Sequence, residues 1–177
     1  MATMEVKFSP EDLKAAQSAE RIPEPTVVII FGASGDLTKR KLLPALFHLE
    51  QSGLLPQEFS VVGVARRPLQ DEFAKDMREG ILQFGGVKEG DAKLDEFMKK
   101  ISYHAMNFDD PEGYGKLKAL LEEIDGKNGT RGNRLFYLAT APEYFADIIE
   151  QLGAHGMAKP PKGKVHVIIE KPFGHDL

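Results

Sequence analysis

Thr26-Val27-Val28-Ile29-Ile30-Phe31-Gly32-Ala33-Ser34-Gly35-Asp36-Leu37-Thr38-Lys39-Arg40-Lys41 decides how the rest of the chain is read. Its first six residues are β-prone and mostly apolar without alternation, the pattern of a parallel strand covered on both faces. At Gly32 the run gives way to a polar, glycine-punctuated turn, and a helical pattern follows from Leu42 to Leu49. Strand, glycine turn and helix start together aim a helix N-terminus at a bound phosphate. Gly32 and Gly35 let the backbone turn tightly and come close to a ligand, where a Cβ would collide. The two glycines stand at i and i+3 rather than in G-x-G-x-x-G spacing, so spacing alone fits a dinucleotide site or any glycine-rich turn of this kind.

Outward from this stretch, strands and helices alternate. The pattern predicts strands at Phe59 to Ala65, Ile101 to Met106, Arg134 to Ala139 and Val165 to Ile169. Helical patterns cover Leu69 to Leu82, Ala92 to Lys100, Asp110 to about Ile124, and Glu143 to Leu152. Pro44 lies inside the first helical pattern, where proline removes a hydrogen bond and clashes one turn back, so either the helix kinks there or its regular part begins there. Gly53 closes that helix and Pro56 prevents its continuation. Asp109-Asp110-Pro111-Glu112 is read as a helix start, with Asp110 the cap and Pro111 the first helical residue, rather than as a carboxylate pair for catalysis. Asp125 to Gly132 is read as a turn-rich loop, the segment most prone to disorder. This alternation predicts an α/β, Rossmann-like, doubly wound and mostly parallel sheet with helices on both faces. Residues 1–25 form an N-terminal arm with a short helix from Pro10 to Glu20, and residues 26–177 form one dinucleotide-binding domain.

Composition narrows the function classes. A chain of 177 residues with 42% hydrophobic and 28% charged residues is the size of one globular domain. Its net charge of −4 gives no electrostatic case for nucleic acid or an acidic membrane surface. With no cysteine, disulfides and thiolate catalysis are excluded, which fits a cytoplasmic protein. No apolar run reaches the roughly 20 residues of a membrane helix, and the N-terminus lacks a secretion signal. The five histidines show no metal-ligand spacing, and no metal is expected.

Within the turn, Ser34 has a hydroxyl to offer a phosphate oxygen, and Asp36 is placed to cap the helix start. Lys39, Arg40 and Lys41 either offset the Asp36 charge or simply form a solvated helix face. The residue type that selects the cofactor stands at the end of the second strand. A site for NAD places Asp or Glu there, whereas a 2′-phosphate calls for a cation. Arg66-Arg67 follow Ala65, with no acid before Asp71. A guanidinium grips phosphate through two hydrogen bonds, so the reading is NADP, although two arginines leaving a strand are also ordinary surface charge. The small-residue exit Leu138-Ala139-Thr140-Ala141-Pro142 would admit a flat ring, or is a plain strand-to-helix turn.

Gly32 to Phe47 closely resembles the first strand-to-helix turn of glucose-6-phosphate dehydrogenases, a family that usually has Ala where Thr38 stands. The resemblance continues through Val62-Gly63-Val64-Ala65-Arg66, Leu135-Phe136-Tyr137-Leu138-Ala139 and Glu170-Lys171-Pro172-Phe173-Gly174, and so spans Thr26 to Leu177. It implies that Gly32, Ala33, Ser34, Gly35, Asp36 and Leu37 carry the cofactor phosphates, that Arg66 is the main 2′-phosphate contact with Arg67 in support, and that Ala139 lies near the nicotinamide end. By the same resemblance, Lys171 reaches both glucose 6-phosphate and the nicotinamide, and the bond before Pro172 is cis. The family carries a Tyr where this chain has Phe145, so this chain offers no phenol at that position. The family's catalytic histidine belongs to an Arg-Ile-Asp-His-Tyr-Leu-Gly-Lys type of segment, and no such string occurs here. The expectation is the NADP-binding domain of a glucose-6-phosphate dehydrogenase, inactive as this chain, with the sugar site and any oligomerisation surface lying elsewhere in the parent protein. A free-standing dinucleotide-binding module and another NADP-dependent oxidoreductase are the alternatives.

Overall fold

The computed structural model describes residues 22–170, so the predicted arm helix and Lys171 lie outside the described residues. Five parallel strands form one sheet: β1 (Thr26–Phe31), β2 (Phe59–Ala65), β3 (Ile101–Ala105), β4 (Arg134–Leu138) and β5 (Val165–Ile169). Their spatial order is β3-β2-β1-β4-β5. β1 lies in the middle, with Val28 opposite Val61 of β2 and Leu135 of β4. β2 is buried along its whole length, as its unbroken apolar run predicts.

Alternate residues of β1 feed two cores. Val27, Ile29 and Phe31 face one layer, packed by Tyr114, Leu117, Leu121 and Ile124 of α4 (Pro111–Asn128) and by Ile148 and Leu152 of α5 (Phe145–Ala154). Val28 and Ile30 face the other, closed by Leu43 and Phe47 of α1 (Leu43–Gln51), Phe73, Met77 and Ile81 of α2 (Gln70–Phe84), and Leu94 and Phe97 of α3 (Ala92–Met98). The chain is therefore a Rossmann-like, doubly wound α/β fold. Because the connections from β1 and to β4 leave in opposite directions, a crevice opens at the C-terminal end of β1, where such sheets bind ligands.

Two local readings are corrected by the structure. First, α4 does not stop near Ile124 but runs through Asp125-Gly126-Lys127-Asn128 and ends where Gly129 adopts φ 68°. Asp110 does cap it, accepting from the Glu112 amide at 3.1 Å. Second, the helix after the glycine turn opens with a π-helical turn over Thr38–Leu42, in which the Leu43 amide donates to the Thr38 carbonyl. Regular α1 starts only at Leu43, with Pro44 in its first turn. Proline at position 44 cannot donate to the Arg40 carbonyl, so the ladder widens ahead of it, and of the two open readings the one in which the regular helix begins at Pro44 holds to within one residue. Among the described residues, no helix is long and apolar enough to cross a membrane.

Candidate dinucleotide-binding site

A cleft of about 630 Å³ lies over the C-terminal ends of the strands. Gly32 and Ser34 form its floor, Ala65, Arg66 and Arg67 its β2 side, Asn107 and Phe108 its β3 side, and Thr140, Ala141 and Tyr144 its β4 side. A second cleft of about 590 Å³, bordered by Asp125, Arg134 and Met157, lies at the opposite end of the sheet, where β4 begins. In an open parallel sheet the chemistry belongs to the first of these edges.

The turn is built by hydrogen bonds back to the sheet. The amides of Gly32 and Ala33 donate to the Val64 carbonyl at 2.8 and 3.1 Å, and that of Gly35 to the Gly32 carbonyl at 3.1 Å. Those of Ser34, Asp36 and Leu37 take part in no such loop bond among the described residues. Ala33 is fully buried, so its side chain serves the core, while Ser34, Gly35 and Asp36 are exposed. Contrary to the expectation from sequence, the Asp36 carboxylate makes no capping bond among the described residues. Lys39 and Arg40 turn instead to α2, Lys39 pairing with Glu79 at 3.7 Å and Arg40 lying 5.5 Å over the Phe84 ring.

At the end of β2, neither Arg66 nor Arg67 has a carboxylate partner among the described residues, and both side chains are exposed. The Arg67 carbonyl accepts from the Tyr103 hydroxyl. Burial pushes that phenol's pKa up, against the opposing pull of the nearby Arg67 charge. Arg66 donates from Nη1 to the Tyr144 hydroxyl at 3.2 Å, and its guanidinium carbon lies 5.2 Å from the Tyr144 ring centre. Sequence reading missed Tyr144 and looked one residue further, at Phe145, which packs against the core. Asn107 and Phe108 were also missed; the signal was their place just beyond β3, on the same sheet edge.

At the end of β4, the Ala139 amide donates to the Phe31 carbonyl at 2.9 Å, holding this exit against β1. Glu170 accepts from the Tyr137 hydroxyl. Burial first, then that carboxylate, push the Tyr137 phenol up to about 12. His104 donates from Nε2 to the Gly113 carbonyl and His155 is hydrogen-bonded through Nδ1 to the Gln151 carbonyl, both at 2.9 Å, so neither faces the cleft. No group of three metal-ligating side chains occurs among the described residues.

These residues fit a phosphorylated dinucleotide. A Cβ built on Gly35 would meet a single neighbouring atom, the Gly32 carbonyl oxygen at 3.4 Å, so a side chain there would project into space the described protein does not fill. Two cations stand at the rim without a carboxylate among the cleft's lining residues.

Comparison with known proteins agrees with the geometry. The family model described as glucose-6-phosphate dehydrogenase, NAD binding domain, matches residues 29–177. A glucose-6-phosphate 1-dehydrogenase of Chlamydia pneumoniae is 47% identical over 166 residues, covering 90% of this chain and 32% of that protein. The Bacillus subtilis glucose-6-phosphate 1-dehydrogenase is 40% identical over 151 residues, covering 85% of this chain and 30% of its own length. A solved structure of a glucose-6-phosphate dehydrogenase in complex with its substrate glucose-6-phosphate is 41% identical, with a TM-score of 0.73 over 88% of this chain and 32% of that one. The chain thus spans about a third of the length of the relatives it matches. Matched from within its first strand to its last residue, it belongs to the family of glucose-6-phosphate dehydrogenase NAD-binding domains.

Proposed function

We propose that this chain is the NADP-binding domain of a glucose-6-phosphate dehydrogenase, the enzyme that oxidises glucose 6-phosphate to 6-phosphogluconolactone in the pentose phosphate pathway. Residues 26–177 form the binding unit and residues 1–25 an arm. The observation that carries the reading is the pair Arg66 and Arg67 at the exit of β2, on the cleft rim, where a site for NAD would hold a carboxylate. The guanidinium of Arg66 takes the 2′-phosphate, with Arg67 adding charge beside it. Ser34, Gly35, Asp36 and Leu37 receive the pyrophosphate through the mouth of the turn, and Gly32 and Ala33 hold that turn to the sheet. Ala139 backs the nicotinamide end. When bound, the cofactor supplies the hydride acceptor. Lys171 contacts the sugar phosphate and the nicotinamide region, while the base that takes the hydroxyl proton comes from elsewhere in the parent enzyme. The lack of cysteine supports a cytoplasmic location.

Titration of the 177-residue chain with NADP and NAD tests the reading. A charge-assisted hydrogen bond is worth about 1.5–3 kcal/mol, so Arg66→Ala should weaken NADP roughly ten- to hundredfold. NAD affinity should barely move. Equal losses for both cofactors would show that Arg66 does not read the 2′-phosphate.

A further inference from the structure

An exposed arginine is a long, mobile side chain, and fixing it costs rotamer entropy each time a ligand is gripped. Arg66 is not left in that state. Its guanidinium carbon lies 5.2 Å over the ring of Tyr144, whose hydroxyl accepts from Nη1 at 3.2 Å. The Tyr144 ring is itself held edge-on to buried Phe108 at 5.4 Å, and Phe108 edge-on to Phe31 at 5.9 Å. Phe31, at the end of the central strand, is fully buried. Three aromatic rings therefore run from the middle of the sheet to one guanidinium. That guanidinium keeps its remaining N–H groups out of any hydrogen bond with the described residues. The two partners are 78 positions apart and come from opposite sides of the β1 turn, Arg66 from β2 and Tyr144 from the 3-10 turn (Pro142–Tyr144) after β4.

We propose that Tyr144 is a positioning residue for cofactor selection: its ring face and hydroxyl hold Arg66 so that the free edge of the guanidinium meets the 2′-phosphate. The inference rests on the assignment of Arg66 to that phosphate. One N–H is spent on Tyr144 and the planar fork keeps donors for a bidentate phosphate contact. A cation over an aromatic face is held in orientation, so the entropy of ordering Arg66 is met before the ligand arrives. Tyr144 itself needs no contact with the cofactor, and NAD, which lacks the 2′-phosphate, gains nothing from the arrangement.

The test is calorimetric titration of the 177-residue chain with NADP and, separately, NAD. Tyr144→Leu removes both ring face and hydroxyl and should weaken NADP roughly five- to thirtyfold while leaving NAD unchanged. Tyr144→Phe keeps the ring and the packing on Phe108, and should recover most of that loss, remaining about two- to fivefold weaker than the parent. In Arg66→Ala, adding Tyr144→Leu should cause no further loss, since the platform then has nothing to hold. If Tyr144→Leu does not fold, the selective loss in Tyr144→Phe decides alone. Equal loss for both cofactors, no loss, or additive losses in the double variant would overturn the inference. Should Arg66→Ala itself fail to discriminate NADP from NAD, the assignment beneath it falls as well. If Arg66→Ala discriminates and the Tyr144 variants do not, only the positioning role falls.

Discussion

At Gly32 the backbone sits at φ 83°, and a Cβ there would lie 2.6 Å from the Ala139 carbonyl oxygen. At Gly35 the same added atom would find one neighbour, at 3.4 Å. The first glycine is thus required by the approach of the β4 exit, whereas nothing within the described protein constrains the second, which leaves the proposed ligand as its reason. Gly32→Ala should therefore destabilise the fold by at least about 1–2 kcal/mol from backbone strain, before the collision with Ala139 is counted. Gly35→Val should unfold close to the parent in chemical denaturation and lose NADP and NAD alike by roughly tenfold or more, because its branched side chain fills the path to the pyrophosphate. A Gly35→Val protein that binds both cofactors normally would remove the phosphate-turn assignment. From sequence the two glycines look equivalent, because their difference depends on Ala139, more than 100 positions away.

Elements are where neighbours outside the local sequence most changed the expected structure. Asp125 to Asn128 reads as a turn by composition, yet Leu117, Leu121 and Ile124 pack one helix face into the core and carry the helix through Gly126. Asp125, in the last turn of α4, then brackets the start of β4: it accepts from Thr130, the Gly132 amide and both Nη atoms of Arg134. Burial alone would raise its pKa, but these donors outweigh it and hold the carboxyl below its usual range. A depressed folded value means that the stabilisation is complete above the unfolded value, about 4, and is lost as pH falls through the folded one. Asp125→Asn should cost about 3 kcal/mol at neutral pH by leaving buried Arg134 without its charge partner, and should flatten the acid side of the stability profile. An unchanged profile in denaturation between neutral and acid pH would show that the bracket does not titrate with folding. The π turn poses a second case. Thr38 is fully buried, and its hydroxyl has no partner among the described residues. Thr38→Val keeps the branched shape and removes the unpaired group, so it should stabilise the chain by about 1–2 kcal/mol, read as a rise in unfolding midpoint. A fall would mean that the hydroxyl is satisfied in solution. The doubly wound order, the position of the glycine turn and the place of two arginines at the β2 exit were legible because each rests on a local pattern. The π turn, the Asp125 bracket and the Tyr144 platform rest on contacts between distant segments, which no window of sequence contains.

Across the described residues, the strands of the sheet are covered unequally. β2 and β1 are covered on both faces, whereas Val167, Ile168 and Ile169 of β5 remain 40–45% exposed, unlike the strands of a sheet covered on both faces. The relatives are about three times as long as this chain, and one glucose-6-phosphate dehydrogenase is solved in complex with its substrate glucose-6-phosphate. In this chain the chemistry that can be located stops at cofactor binding. His48 and His166 are exposed on α1 and β5, and His104 and His155 are engaged by carbonyls away from the cleft, so no histidine among the described residues can take a proton there. A positioned base contributes a factor of about 10²–10⁴, and holding two reactants in reacting geometry contributes more. On the proposed reading, in which the sugar site lies elsewhere in the parent enzyme, both contributions are lost together. The 177-residue chain should therefore bind NADP yet form no NADPH on addition of glucose 6-phosphate, even at high protein concentration. Sugar-phosphate binding should also be very weak, because Lys171 is the single cation assigned to a group that several donors usually hold. Absorbance of NADPH follows the reaction, with Lys171→Ala as the control for contaminating enzyme. Turnover that persists in a clean preparation and disappears in Lys171→Ala would place a working base within these 177 residues and overturn the division of labour proposed here.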